Sequence, residues 1–163
     1  CEIFYDLDAS RWYHEAIDWA YSLGLMNGTT KSTFGPNAAA TRAQTWTMLA
    51  RIAGQDTRRS VTWYEVGQKW AMGLGITDGT NPEGSVTREQ LATLLYRFYG
   101  SPEVSGSLNY ADAGAVSDYA QNALLWATQN GILNGVGNGR IAPNEEAQRA
   151  QVAAMMARFL KNL

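Results

Sequence analysis

Apolar residues recur at three- and four-residue spacing along most of the chain, broken at regular intervals by glycine-rich polar segments. Trp12, Ala16, Ile17, Ala20 and Leu23 mark a first amphipathic helix, predicted to begin near Ser10 and to stop at Gly24. Thr62 and Glu65 have capping-box spacing and Gly75 follows as a stop, which predicts another helix; Ser117 and Gly131 bracket a third of the same kind. Between these lie three more apolar faces: Met48, Leu49 and Ile52; Leu94, Leu95 and Phe98; Met155, Met156 and Phe159. The pattern therefore predicts an all-α chain of six helices in three hairpins, with the second-helix faces meeting in a shared core.

The three hairpins are repeats. One constant offset superimposes Trp19, Gly24, Gly28, Pro36, Arg42 and Arg51 on Trp126, Gly131, Gly135, Pro143, Arg149 and Arg158. A second offset carries Trp12, Tyr13, Trp19, Gly24 and Gly28 onto Trp63, Tyr64, Trp70, Gly75 and Gly79. It then shortens to match Thr41, Arg42 and Arg51 to Thr87, Arg88 and Arg97, so the middle unit is read as having lost loop residues, including the Phe34-Gly35-Pro36 segment. Gly54 to Ser60 and Gly100 to Leu108 read as linkers. The expected organisation is a single domain, 1–163, of three repeats: 1–54, a shortened 61–100, and 108–163. A unit of about 50 residues with two helices does not hide its apolar face alone.

Each second helix opens on a repeated stretch: Thr41-Arg42-Ala43-Gln44, Thr87-Arg88-Glu89-Gln90 and Gln148-Arg149-Ala150-Gln151. Thr41 with Gln44 and Thr87 with Gln90 have capping-box spacing. Gln148 replaces the threonine in the third copy, and Asn144 offers a cap about one turn earlier, so that helix is expected to start early. An arginine in the first turn gains nothing from the helix dipole, so something negative is expected near Arg42, Arg88 and Arg149. Arg51, Arg97 and Arg158 recur near helix C-termini, where a cation is favourable, and read as structural.

Composition narrows what such a site could serve. The 163 residues are 45% hydrophobic and 17% charged with net charge −2, an ordinary globular balance without the basic field that nucleic acid or an anionic membrane surface requires. No apolar run approaches the roughly 20 residues of a membrane span, and no signal sequence is visible. The one cysteine, Cys1, precludes an internal disulfide; its terminal position fits a processing product, an expression scar or a lipidated residue. Of the six tryptophans, Trp19, Trp70 and Trp126 lie on apolar faces and read as core, Trp46 is ambiguous, and Trp12 and Trp63 fit either a core edge or a groove wall. His14 reads as surface; Asp6 and Asp112 read as loop caps.

The combination Phe4-Tyr5-Asp6, Trp12-Tyr13, Ala16-Ile17, Gly24-Leu25-Met26-Asn27-Gly28, Phe34-Gly35-Pro36 and Thr41-Arg42-Ala43-Gln44 resembles the S-layer homology repeat, and the three units cover nearly the whole chain. The resemblance implies a pseudo-threefold prism around a central three-helix bundle. It further implies a non-covalent anchor, part of a larger secreted surface protein, that binds a cell-wall polysaccharide bearing pyruvate ketals in grooves between repeats, at the extracellular face of a bacterial wall. On that resemblance Arg42, Arg88 and Arg149 would hold the ketal carboxylate, helped by helix N–H groups. Gly28, Gly79 and Gly135 would let the backbone approach sugar, and Trp12, Trp63 and Tyr119 would pack on a sugar ring. The chain departs from the family pattern in carrying Gln44, Gln90 and Gln151 where the motif has glutamate, in carrying Gln148 where it has threonine, and in a middle unit without a Phe-x-Asp start or the Phe-x-Pro loop; these departures rank Arg42 and Arg88 above Arg149.

Catalytic motifs are absent: there is no His-Glu-x-x-His, no Gly-x-Ser-x-Gly, and one histidine. Carboxylates such as Asp78 and Glu89 are the kind a glycosidase pair would use, their separation being outside what spacing along the chain gives. No cofactor or metal is expected. The alternative to a glycan anchor is a protein-interaction or self-assembly module of the same fold.

Overall fold

The computed structural model describes residues 3–163; Cys1 lies outside them. Among the described residues six α-helices follow one another: α1 (His14–Ser22), α2 (Arg42–Ile52), α3 (Glu65–Gly73), α4 (Arg88–Tyr99), α5 (Gln121–Gln129) and α6 (Arg149–Lys161), with short 3₁₀ turns at Ala113–Ala115 and Asp118–Ala120. The all-α expectation holds.

The first helix of each unit starts later than its sequence suggests. α1 begins at His14, after a chain of turns from Asp8 to Tyr13 in which Ser10, the predicted start, caps onto the Asp8 carboxylate instead. In α3 Glu65 is the first helical residue, not the third, so no box with Thr62 forms; its carboxylate pairs with Lys69. Ser117 gives its N–H and hydroxyl to Glu89 and caps nothing. The stops are as read: Gly24, Gly75 and Gly131 sit at φ +68°, +70° and +67°, the left-handed conformation in which a glycine avoids the Cβ clash.

The second helices keep their predicted register. Thr41 and Thr87 cap α2 and α4 through full boxes with Gln44 and Gln90. α6 starts at Arg149 rather than a turn early: the Gln148 N–H donates to Gln151 Oε1 at 3.1 Å, and Asn144 turns away to the Ala115 carbonyl. All three motif arginines therefore occupy the first position of their helices.

Between units the chain closes on itself. The residues just before α2, α4 and α6 form a ring of main-chain hydrogen bonds, Ala40 N–H to Ala147 carbonyl, Ala147 N–H to Val86 carbonyl, and Val86 N–H to Ala40 carbonyl, each 2.9 Å. Every buried amide in that ring is satisfied by another unit, so none of the three can form it alone. The close helix pairs also cross unit boundaries: α2 packs on α3, α4 on α5, and α6 returns to α1. The hairpins of the sequence are thus hairpins in chain order, while their tightest packing is with neighbours. Gly67 of α3 permits one such crossing; a Cβ there would stand 2.9 Å from Thr47 Cα and N. The core runs continuously from Phe4 and Ile17 through Trp46, Leu49, Leu91 and Leu95 to Met156 and Phe159, and Phe159 gathers Phe98, Tyr99 and Trp126 around its ring. Trp46 is core; Trp19 and Trp70 pack against it half-buried.

Candidate functional site

Each motif arginine leaves its own unit and ties down the glycine loop of the next. Arg149 donates Nε to the Phe34 carbonyl at 3.1 Å and Nη2 to that of Asn27 at 2.5 Å; Arg88 donates Nε to Ile141 at 3.1 Å and Nη2 to Asn134 at 2.7 Å. Arg42 repeats the Nε bond, to the Thr80 carbonyl at 2.8 Å, but its Nη2 meets the Asp78 carboxylate at 3.0 Å. The negative partner expected from the sequence is therefore supplied in part by the protein, as neighbouring carbonyls and one carboxylate. The arginines are inter-unit ties as well as site candidates.

Those partners also correct the reading of the middle loop. Ala150, Glu89 and Ala43, each second in its helix, donate their N–H groups to the carbonyls of Pro36, Pro143 and Pro82 respectively. Pro82 is the counterpart of Pro36 and Pro143, so the middle unit retains this segment as Thr80-Asn81-Pro82, and the shortening lies before it. Asn81 at φ +50° stands where Gly35 and Ala142 do, at +72° and +51°. Asp6 clamps the first loop by accepting from Phe34 N and Gly35 N, both 2.8 Å, and Asp112 clamps the third through Ile141 N and Ala142 N, also 2.8 Å. Asp6 and Asp112 are loop caps as expected. The middle unit, lacking an acidic start, uses Asp78 on Thr80 N at 2.9 Å.

Three grooves result, each assembled from all three units. Groove A is lined by Arg42, Asp78, Gln90, Thr93, Arg97 and Tyr119; groove B by Arg149, Asn27, Gly28, Arg51, Thr47 and Trp63; groove C by Arg88, Asn134, Gly135, Gln151, Arg158 and Trp12. Each takes its loop and one helix face from one unit, its motif arginine from the unit before and its aromatic wall from the unit after. Their volumes, about 390, 480 and 460 Å³, lie in the range of small-ligand clefts. Trp12, Trp63 and Tyr119 are 60%, 47% and 51% exposed, so the aromatics stand at the groove walls, not in the core.

Gly79 lines none of these grooves. A Cβ there would collide with Met72 Sδ at 2.3 Å, one at Gly28 with Phe4 at 2.4 Å, and one at Gly135 with the Arg140 carbonyl at 3.0 Å. The close approach these glycines permit is to the protein's own loops and side chains. The helix N-termini are likewise occupied: Arg42, Arg88 and Arg149 donate their N–H groups to the carbonyls of Gly84, Glu145 and Ala38. With the second N–H groups on the prolines as well, none of these donors is left for an external anion.

The sequence reading missed a second arginine in every groove. Arg51, Arg97 and Arg158 do tie helix to loop, through the carbonyls of Leu25, Ile76 and Ile132, but they also line grooves B, A and C beside the motif arginines. Their threefold recurrence was the available signal; what hid their place was that each pair joins different units.

Electrostatics divides the grooves. Arg88 and Arg149 are 4% and 5% exposed, and burial pushes both guanidiniums below their ordinary pKa. Neither forms an ion pair among the described residues; each is a buried cation hydrogen-bonded to neutral carbonyls, with Glu145 and Asp112 acting on Arg88 and Asp6 on Arg149 from beyond ion-pair distance. In groove B the Thr47 hydroxyl, 2% exposed, also lacks a hydrogen-bond partner there. Groove A differs, with Asp78 on Arg42 and, behind Tyr119, the buried carboxylate of Glu89 held by Ser117 N, Ser117 Oγ and Tyr119 OH at 3.0, 2.7 and 3.3 Å. Burial and the Glu89 charge push the Tyr119 phenol up, keeping it protonated as a donor. Asp78 and Glu89 are thus both committed to protein partners.

Known proteins share this chain's pattern. The S-layer homology domain model matches residues 3–45 and 109–153, together more than half of the chain, and the shortened middle unit lies between the two matches. An amylopullulanase of Thermoanaerobacterium thermosulfurigenes is 29% identical over 92% of this chain and 9% of its own length. An endoglucanase of Bacillus sp. (strain KSM-635) is 28% identical over 96% of the chain and 18% of its own length. The S-layer protein sap of Bacillus anthracis is 25% identical over 95% and 21% respectively. The chain thus spans about a fifth or less of each of these relatives. With its repeated arginine-to-loop ties and these matches, the chain belongs to the S-layer homology domain family and is a module of the bacterial cell surface, associated with the wall.

Proposed function

We propose that this chain is a non-catalytic anchoring module that holds a larger surface protein to the wall by binding an anionic, pyruvylated secondary cell-wall polysaccharide in its grooves. The observation that carries this reading is the pairing, in grooves B and C, of a buried and ion-unpaired motif arginine with a second arginine and an exposed aromatic. A buried guanidinium without a counter-ion costs desolvation that an entering carboxylate offsets, through charge-assisted hydrogen bonds to the donors the loops leave free. Trp63 or Trp12 offers an apolar face for the attached sugar ring.

That two relatives named as polysaccharide-degrading enzymes and one named as an S-layer protein share this stretch supports anchoring over catalysis. In this reading repeats 1–54, 61–100 and 108–163 act as one domain, since each groove draws on all three. Two grooves engaging one polymer raise retention about 10²-fold or more over a single site by effective concentration.

Incubating the purified protein with wall polymer stripped of protein tests the assignment. Retention that falls as ionic strength rises is expected, because part of the attraction is between charges. A protein that ignores the stripped polymer and instead self-associates or captures wall protein is the interaction module of the alternative reading, and the proposal fails.

A further inference from the structure

The three loops place different groups on the same atom of the motif arginine. Arg149 Nη2 and Arg88 Nη2 meet the main-chain carbonyls of Asn27 and Asn134, whereas Arg42 Nη2 meets the side-chain carboxylate of Asp78. Asp78 is the residue at the position of Asn27 and Asn134 in the repeat. It is not free to swing away: its Oδ1 also accepts from Thr80 N at 2.9 Å and Thr80 Oγ1 at 2.8 Å, in the loop clamp that replaces the missing acidic start of the middle unit. The carboxylate that closes this loop therefore puts a fixed negative charge on Arg42 at the point where Arg149 and Arg88 meet neutral carbonyls.

We infer that Asp78 is a specificity-determining residue that closes groove A to anionic ligands, leaving grooves B and C as the two that take a carboxylate. The inference rests on the proposed glycan-binding reading. An ion pair 3.0 Å long already occupies Arg42, and an incoming carboxylate would stand beside Asp78 as a like charge. Arg97 remains on the groove wall, but Asp78 lines groove A in direct contact with Arg42, whereas among the described residues no carboxylate lines B or C, and Asp6, Asp112 and Glu145 act on Arg149 and Arg88 without touching them. The sequence ranking of Arg42 above Arg149 is thereby reversed.

Asp78→Asn separates the clamp from the charge. An asparagine Oδ1 still accepts from Thr80, and the loops at Asn27 and Asn134 fold with this residue in place. Calorimetric titration with a short synthetic oligosaccharide bearing one pyruvate ketal is expected to give two sites per chain for the natural sequence and three for D78N, the third weaker because Glu89 remains. The reciprocal variant Asn27→Asp is expected to reduce two sites to one. Three sites in the natural sequence, or two in both it and D78N, overturn the inference while leaving the proposed function standing. No binding by any variant overturns both.

Discussion

Arg149, the first residue of α6, lays its guanidinium over the ring of Phe34, 4.7 Å from the centroid, and donates Nε to that residue's own carbonyl. One side chain thus joins the last unit to the first while its outer edge faces groove B. Arg42 makes a looser version of this contact, 5.5 Å above Trp46 of its own helix. Under the proposed function, anchoring and folding share these arginines, so alanine substitutions report both at once, and sharper variants are needed.

Phe34→Leu keeps an apolar residue under Arg149 but removes the ring. The expected cost is about 1–2 kcal/mol, from lost cation–π attraction and imperfect filling. Urea unfolding measures it. Polymer affinity is expected to stay within about twofold, since the hydrogen bonds that aim Arg149 involve main-chain carbonyls.

Trp12→Ala and Trp63→Ala should do the reverse. Both rings stand at the core's edge, edge-on against Tyr13 and Tyr64, so stability is expected to fall by no more than about 1 kcal/mol. Loss of the sugar-facing surface is expected to lower affinity about five- to tenfold at each groove, roughly 1 kcal/mol. A large melting shift with unchanged binding would place these rings in a structural role instead.

Gly67→Val tests whether groove B depends on the packing of α3. The added Cβ would press on the Thr47 backbone, so α3 must shift, at about 1–3 kcal/mol. Because α3 follows directly from Trp63, binding at groove B is expected to weaken while groove C is spared. Titration and thermal melting of the same variant read the two effects separately.

Asp112 gives a pH dependence with a definite sign. Its carboxylate accepts from Ile141 N–H and Ala142 N–H, which hold its pKa below the usual carboxylate value near 3.9. A folded-state pKa depressed in this way contributes stability that is fully present above the unfolded value and lost as pH falls through the folded one. Asp112→Asn is therefore expected to melt several degrees below the natural protein at pH 7, with the gap closing below pH 4. A gap that persists unchanged at pH 2.5 contradicts the clamp.

Local features of the sequence were legible because local physics sets them. The Thr41–Gln44 and Thr87–Gln90 boxes, the left-handed glycines after each first helix and the aspartate clamps each involve a few residues with specific hydrogen-bonding chemistry. The ring joining Ala40, Val86 and Ala147 was not legible, since it is made by main-chain groups that any residue but proline possesses. Nor was the grouping of Arg149, Arg51 and Trp63 in one groove, which needs the circular order of units. Asp78 was visible throughout but had no meaning until Asn27 and Asn134 appeared at the same place opposite the other arginines.

Anchoring through the buried arginines of grooves B and C requires a carboxylate on the wall glycan. Co-sedimentation of the protein with purified, protein-free walls, before and after selective removal of pyruvate ketals, tests it most directly. Retention on intact walls and its near-complete loss once the ketals are gone are expected. Equal retention on both preparations contradicts it.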